Sequence, residues 1–241
     1  MSGHSKWNNI KHKKEKSDAA KAKIFTKIGK EMAVAIKAGG PDPNVNSKLR
    51  DLISKAKANN VPNENIQRTI KKFTESNDVV YEEITYEGYG PSGVAVIVET
   101  STDNRNRTAG NVRAWFNKYG GNMGQNGCVS FLFEEKGVVT IIDEDEEIDE
   151  DKIMEDALES GAEDIKCDGG EYTIYTAPED LDAVRDSIIS MGYKIDTADL
   201  AKIPSTYVTL ENPEDVENME KMLDKFNEDD DVNAVFTNWD N

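Results

Sequence analysis

The chain offers little to a reaction that needs a fixed acid, base or nucleophile. Its only histidines, His4 and His12, fall in an opening stretch without helical period, and a general base must be held within hydrogen-bond reach of the proton it moves. Cys128 and Cys167 stand far apart and form no CxxC pair, so zinc binding and thioredoxin-like chemistry lack their spacing; both thiols are expected to be reduced. Neither a G-x-S-x-G elbow nor a Walker loop occurs. Gly88-Tyr89-Gly90-Pro91-Ser92-Gly93 has glycines spaced as in a dinucleotide fingerprint, but it precedes a strand and contains a proline, so it reads as a hairpin turn. The acidic run Asp143–Asp151 suggests calcium at first sight. An EF-hand loop counted from Asp143 needs Gly and Glu where Ile148 and Met154 stand, so the run reads as a solvated loop, as does Asp229-Asp230-Asp231. The expectation is a non-enzymatic protein with no metal and no cofactor.

What the chain does offer is cations for phosphate. Nine lysines and only two acids lie in its first thirty residues, although the net charge of the whole is −18. Residues 1–73 hold 17 Lys/Arg against 6 Asp/Glu, a net +11, and residues 74–241 hold 12 against 41, a net −29. A basic end on an acidic body is the footprint of a protein that meets nucleic acid with one face. The candidate contacts are Lys6, Trp7, Lys11, His12, Lys13 and Lys14, then Lys23 and Lys27. Lysine acts on phosphate as a point charge and reads little sequence, whereas Trp7, His12 and Asn8 are able to stack on or touch unpaired bases, as in RNA recognition.

A second cationic segment is Thr102-Asp103-Asn104-Arg105-Asn106-Arg107-Thr108. Thr102, Asp103 or Asn104 can cap a helix there, which puts Arg105 and Arg107 in its first turn, where the helix dipole opposes them. An internal carboxylate or a bound phosphate must compensate. The acidic composition favours the carboxylate, and the phosphate reading places Arg105 and Arg107 among the nucleic-acid contacts.

A membrane partner is not expected. Met1–Lys16 has only Trp7 and Ile10 as sizeable apolar groups. No apolar run approaches the roughly 18–20 residues that span a bilayer, and the opening lysines lead into more lysines, unlike a signal peptide. The expected location is the cytoplasm.

The elements that must position these groups follow from periodicity. Residues 1–16 read as a flexible basic arm. Ile24, Ile28, Met32 and Ile36 form one apolar face of a helix that ends at Gly39-Gly40. Asn46 caps a second helix with Leu49, Leu52, Ile53 and Ala56 inward, and Pro62 opens a third with Ile66, Ile70 and Phe73 inward. These make a basic helical bundle over residues 17–76. Tyr81–Tyr86, Val94–Val98, a helix carrying Val112, Trp115, Phe116 and Tyr119, and Gly127–Phe133 read as strand, strand, helix and strand. Residues from Gly137 onward follow β-α-β-β-α-β, the ferredoxin-like pattern. Its first helix, Ile148–Ser160, turns Ile153, Ala157 and Leu158 inward, and its last strand is Tyr193–Ile203. Thr206–Leu210, Asp215–Phe226 and Val232–Phe236 supply a further strand, helix and strand. The expected fold is therefore α+β and multidomain: a three-helix bundle, then a ferredoxin-like domain of residues 80–134 and 205–241, with a second ferredoxin-like domain, 137–204, inserted in it.

Several long motifs together resemble the YebC/PmpR family. His4-Ser5-Lys6-Trp7-Asn8-Asn9-Ile10-Lys11-His12-Lys13 is similar to its opening signature, and Lys23-Ile24-Phe25-Thr26-Lys27 continues it. Tyr86-Glu87-Gly88-Tyr89-Gly90-Pro91, Thr102–Thr108 and Gly120-Gly121-Asn122-Met123-Gly124 match its central motifs in order. The resemblance spans essentially the whole chain and implies a helical N-terminal domain followed by two α+β domains, one inserted in the other. It implies a DNA-binding transcriptional regulator. Because mitochondrial relatives are translational activators and bacterial members are linked to ribosomes stalled on proline-rich sequences, it also implies an alternative, a ribosome-associated factor that binds ribosomal RNA. In the regulator the acidic domains would contact proteins or pair subunits into a homodimer, and in the ribosomal factor they would face basic ribosomal proteins.

Overall fold

A buried asparagine sets the first turn of the helical region. In the computed structural model, which describes residues 18–75, 79–143 and 147–240, α1 (Asp18–Gly39) is followed by α2 (Ser47–Ala58) and α3 (Asn63–Glu75). Asn46 accepts a hydrogen bond from Leu49 N at 3.1 Å, capping α2, and its amide donates to the carbonyls of Ala35 at 2.8 Å and Gly40 at 2.7 Å. One side chain thus satisfies orphan groups at the end of one helix and the start of the next. Gly40 takes the left-handed conformation that closes α1, with φ +83°. Ile28, Met32, Ile36, Leu49, Ala56 and Ile66, on the inward stripes that the spacing predicts, fill the space between the three helices together with Ala35.

The same compact unit, residues 6–132 with 206–241, continues into an α+β region. Its strands are β1 (Glu82–Tyr89), β2 (Ala95–Thr102), β3 (Asn122–Met123) and, after a second and separate unit, β9 (Val232–Thr237). They lie in the order β3-β1-β2-β9 with antiparallel neighbours. Helices α4 (Arg105–Lys118) and α7 (Pro213–Glu228) supply Val112, Phe116, Met219, Met222, Leu223 and Phe226 to the core, against Val96, Val98 and Val232 of the sheet. The glycines of the two central motifs permit the pairing of β1 with β3. A Cβ on Gly88 would lie 2.5 Å from the Asn122 carbonyl oxygen, and one on Gly121 would lie 2.5 Å from that of Tyr89.

The second unit, residues 133–205, runs β4 (Phe133–Ile142), α5 (Glu150–Glu159), β5 (Asp164–Asp168), β6 (Glu171–Thr176), α6 (Leu181–Ser190) and β7 (Thr197–Pro204). Its order β5-β6-β4-β7, antiparallel throughout, is the ferredoxin-like arrangement. Val139, Ile141, Ile153, Ile174, Val184 and Ile188 form its core. The first sheet has the same spatial arrangement with one strand moved forward in the chain: β1 occupies the place that β6 has here. Both α+β regions are thus ferredoxin-like.

Four expectations are corrected. Gly127–Phe133 is not a strand; its first residues give their backbone N–H groups to the Glu87 carboxylate, from Gly127 at 2.8 Å, Val129 at 2.9 Å and Ser130 at 2.8 Å. Those donors have no strand to pair with, and Phe133 instead opens β4. Leu158 stays exposed at 56% because it lies a step around the helix from buried Ala157. The last strand of the inserted unit begins at Thr197, not Tyr193, whose hydroxyl donates to Asp156 at 2.6 Å. Of Thr206–Leu210 only β8 (Val208–Thr209) is extended, and it pairs in parallel with β10 (Trp239–Asp240), outside the main sheet.

Candidate nucleic-acid interface

Lys6, Trp7, Lys11, His12, Lys13 and Lys14 lie outside the described residues. Lys23 and Lys27 lie on α1, and with Lys30 they form a ladder at i, i+4 and i+7 along one helix face. That ladder meets the C-terminal end of α7. Lys23 donates to the Glu228 carbonyl and sits 3.8 Å from the Asp230 carboxylate. Lys27 donates to the Asn227 carbonyl at 3.0 Å and Lys30 to that of Asp230 at 2.9 Å. Cations here satisfy the unpaired carbonyls of a helix end and complement its negative pole. Lys23 and Lys27 thus hold the helical region to the α+β region.

Asp231 is the centre of this junction. The sequence suggested a solvated turn, but its side chain is only 6% exposed. Lys30 Nζ approaches Oδ1 at 2.6 Å, Arg107 Nη2 approaches Oδ2 at 2.6 Å, and the Thr108 hydroxyl donates to Oδ2 at 2.8 Å. Burial pushes this carboxyl up, but the bonds from Lys30, Arg107 and Thr108 outweigh it and hold it at about 2. Asp231 and then Asp103, 2.8 Å away, hold the Arg107 guanidinium still more firmly protonated than usual. The carboxylate that an arginine in a first helical turn requires is therefore present, and it comes from a distant part of the chain. Arg105 is exposed and has no ion pair among the described residues. Asn104 caps α4, accepting from Arg107 N at 3.1 Å.

Sequence reasoning missed both Lys30 as the partner of Asp231 and the place of most of the acid. Residues 133–205 hold 23 Asp/Glu and 6 Lys/Arg, a net −17, so the rest of the chain is close to neutral at −1. On the helical region Lys48 pairs with Glu83 at 2.7 Å and Arg68 with Glu64 at 3.4 Å. Lys37, Arg50, Lys57 and Lys72 are exposed and have no carboxylate partner among the described residues. Arg50 and Lys57 stand two turns apart on one face of α2. Among the described residues, no group of three or more His, Cys, Asp or Glu is placed to hold a metal ion, and no helix is long and apolar enough to cross a membrane.

The described geometry is matched by known proteins along its length. Residues 5–76 match the family model of the TACO1/YebC protein N-terminal domain, and residues 81–239 match that of the TACO1/YebC second and third domain. The chain belongs to the TACO1/YebC family. A relative from Acetivibrio thermocellus is 54% identical over 240 residues, covering 99% of each chain. One from Agathobacter rectalis is 54% identical over 241 residues, covering all of both. Each is named a probable transcriptional regulatory protein, so the family's curated members are described as regulators. The crystal structure of a conserved hypothetical protein from Aquifex aeolicus has a TM-score of 0.83 at 42% identity, covering 92% of this chain and 91% of that one.

Proposed function

We propose that the chain is a DNA-binding transcriptional regulator that grips duplex phosphate through its N-terminal arm and helical region. The observation that carries this reading is the segregation of charge: +11 over residues 1–73 against −17 over residues 133–205. A phosphate backbone is attracted to the first and repelled by the second. The names of the relatives agree with this role. Lys6, Lys11, Lys13 and Lys14 supply charge, with Trp7 and His12 beside them. Arg50, Lys57 and Lys72, which have no carboxylate partner among the described residues, extend the surface onto the bundle. Lys23 and Lys27 are engaged internally and contribute through the fold, while Arg105, exposed and without an ion pair among the described residues, is placed to reach phosphate. No step in this action requires a catalytic group.

The test is a salt titration of binding to duplex DNA by the intact protein and by a Lys11→Glu, Lys13→Glu, Lys14→Glu variant. Each phosphate contact adds about 0.9 to the slope of log affinity against log salt. The variant should bind far more weakly at physiological salt, with a slope shallower by about 3 and an unchanged melting temperature. Undiminished affinity in the variant would remove the electrostatic basis of the reading. Selective, salt-resistant binding to structured RNA would replace DNA by RNA as the ligand.

A further inference from the structure

The surface of α4 carries an open groove of about 800 Å³, walled by the C-terminal end of α7 and by Lys30 of α1. Its floor is a single stripe of α4: Arg107, Asn111, Trp115 and Lys118, at i, i+4, i+8 and i+11. We propose that this groove binds a short run of single-stranded nucleic acid, with an unpaired base on Trp115 and phosphates at Arg107 and Lys118.

Four acids and Lys225 share the wall, and each acid has a hydrogen-bond or ionic partner, Asp229 only from neutral N–H groups. Asp231 is taken by Lys30 and Arg107. Asp229 accepts from the Asn111 amide at 3.2 Å and from Asp231 N at 2.7 Å. Glu228 pairs with Lys225 at 2.6 Å, and Asp230 lies 3.8 Å from Lys23. Arg107 makes all its side-chain hydrogen bonds through Nη2, so Nη1 and Nε are left to donate from a side chain that is 46% exposed. Lys118 is exposed and has no carboxylate partner among the described residues; its ammonium rests over the Tyr119 ring at 5.3 Å. Between these two cations, Trp115 is half-buried and is fixed edge-on to Phe226, with ring centroids 5.7 Å apart and planes at 78°. Asn111 keeps its amide oxygen for a base edge.

The shape selects the ligand class. Small-molecule sites are enclosed and mostly apolar, whereas this groove is open and mixed in polarity. A base stacks on an aromatic side chain only once it has left its neighbours, which duplex DNA does not allow without deformation. Arg107 and Lys118 are about 16 Å apart along the helix, a span that suits a few nucleotides of extended strand. The lining residues named here include none of the arm contacts proposed for duplex binding.

Tryptophan fluorescence tests the groove in the full chain. A Trp7→Phe background leaves Trp115 and the buried Trp239 as emitters, and oligo(dT) and oligo(U) of about ten nucleotides are the probes, within the site sizes of single-strand binders. Saturable quenching by either oligonucleotide is expected, and Trp115→Leu should weaken binding read by the anisotropy of an end-labelled oligonucleotide, without altering the circular dichroism. Lys118→Glu should weaken binding about tenfold at low salt. Reversal of Lys11, Lys13 and Lys14 to glutamate should leave the quenching in place. The proposal is overturned if no quenching saturates, or if Lys118→Glu leaves the affinity unchanged. It is overturned too if the arm variant alone abolishes the signal, and that result would still support the arm as a nucleic-acid contact.

Discussion

Lys30 and Asp231, 201 positions apart in the chain, meet at 2.6 Å and are both largely buried, with side chains 13% and 6% exposed. Arg107 closes on the other carboxylate oxygen, so a single acid neutralises cations from two regions of the fold. Breaking a buried pair from one side leaves an uncompensated charge, which costs far more than the pair contributes. Asp231→Asn should therefore destabilise the protein by about 3 kcal/mol, read from urea denaturation. Lys30→Met should cost less, because Arg107 and Thr108 still satisfy Asp231. Equal costs for the two variants would show that the network is not centred on Asp231.

The same carboxylate predicts acid sensitivity. Asp231 is held at about 2 in the folded chain and returns to the ordinary aspartate value, near 4, when unfolded. A depressed folded value contributes stability that is complete above the unfolded value and is lost as pH falls through the folded one. The window is therefore roughly pH 4 down to 2, and the contribution is about 2 kcal/mol. Comparison of urea midpoints at pH 6 and pH 3 for the wild type and Asp231→Asn checks it. The gap between the two proteins should narrow on acidification, and a gap independent of pH would assign the cost to packing instead of charge.

Asn46 makes a purely structural prediction. Its amide and carbonyl oxygen serve Ala35, Gly40 and Leu49 at once. Asn46→Ala removes an N-cap, worth about 1 kcal/mol, and the two hydrogen bonds donated to the Ala35 and Gly40 carbonyls, worth about 1 kcal/mol each. Asn46→Asp keeps the cap but turns the donating nitrogen into a buried carboxylate oxygen that faces the Ala35 and Gly40 carbonyls, so it should destabilise at least as much as alanine. Thermal unfolding followed at 222 nm gives the order.

Local signals were legible and long-range ones were not. The helical stripes, the Asn46 cap and the β-α-β-β-α-β run can be read from spacing within a few turns of chain. The need of Arg107 for a carboxylate is also a local inference, from the helix dipole. Its partner is not, because Asp231 stands 124 positions away in a run of three aspartates that resembles solvated turns. The charge pattern points to the basic end as the place for phosphate. It does not reveal that Lys23, Lys27 and Lys30 are drawn to a helix end, since their targets are backbone carbonyls and carry no sequence signal. The same limit explains the missed loop at Gly127–Ser130, where the alternation of residue types is that of a strand. What removes the strand is Glu87, 40 positions earlier at Gly127.

Glu87 is therefore the residue whose loss should be felt furthest from its own place in the chain. It is 5% exposed and accepts from three backbone N–H groups of the loop after β3. Burial raises its carboxyl, but the N–H groups of Gly127, Val129 and Ser130 outweigh burial and hold it below the usual range. Glu87→Gln keeps one acceptor oxygen and turns the other position into an N–H₂ that faces the Val129 and Ser130 donors or abandons Gly127. Hydrogen bonds to charged groups contribute about 1.5–3 kcal/mol, so a loss of about 2 kcal/mol in stability is expected, with most of the change confined to the loop. Amide hydrogen exchange should report it as faster exchange at Gly127, Val129 and Ser130 while β1 and β2 keep their protection. If all three amides retain wild-type protection in Glu87→Gln, charge is not what holds the loop, and the close approach of Gly88 and Gly121 to the facing strand becomes the better account of it.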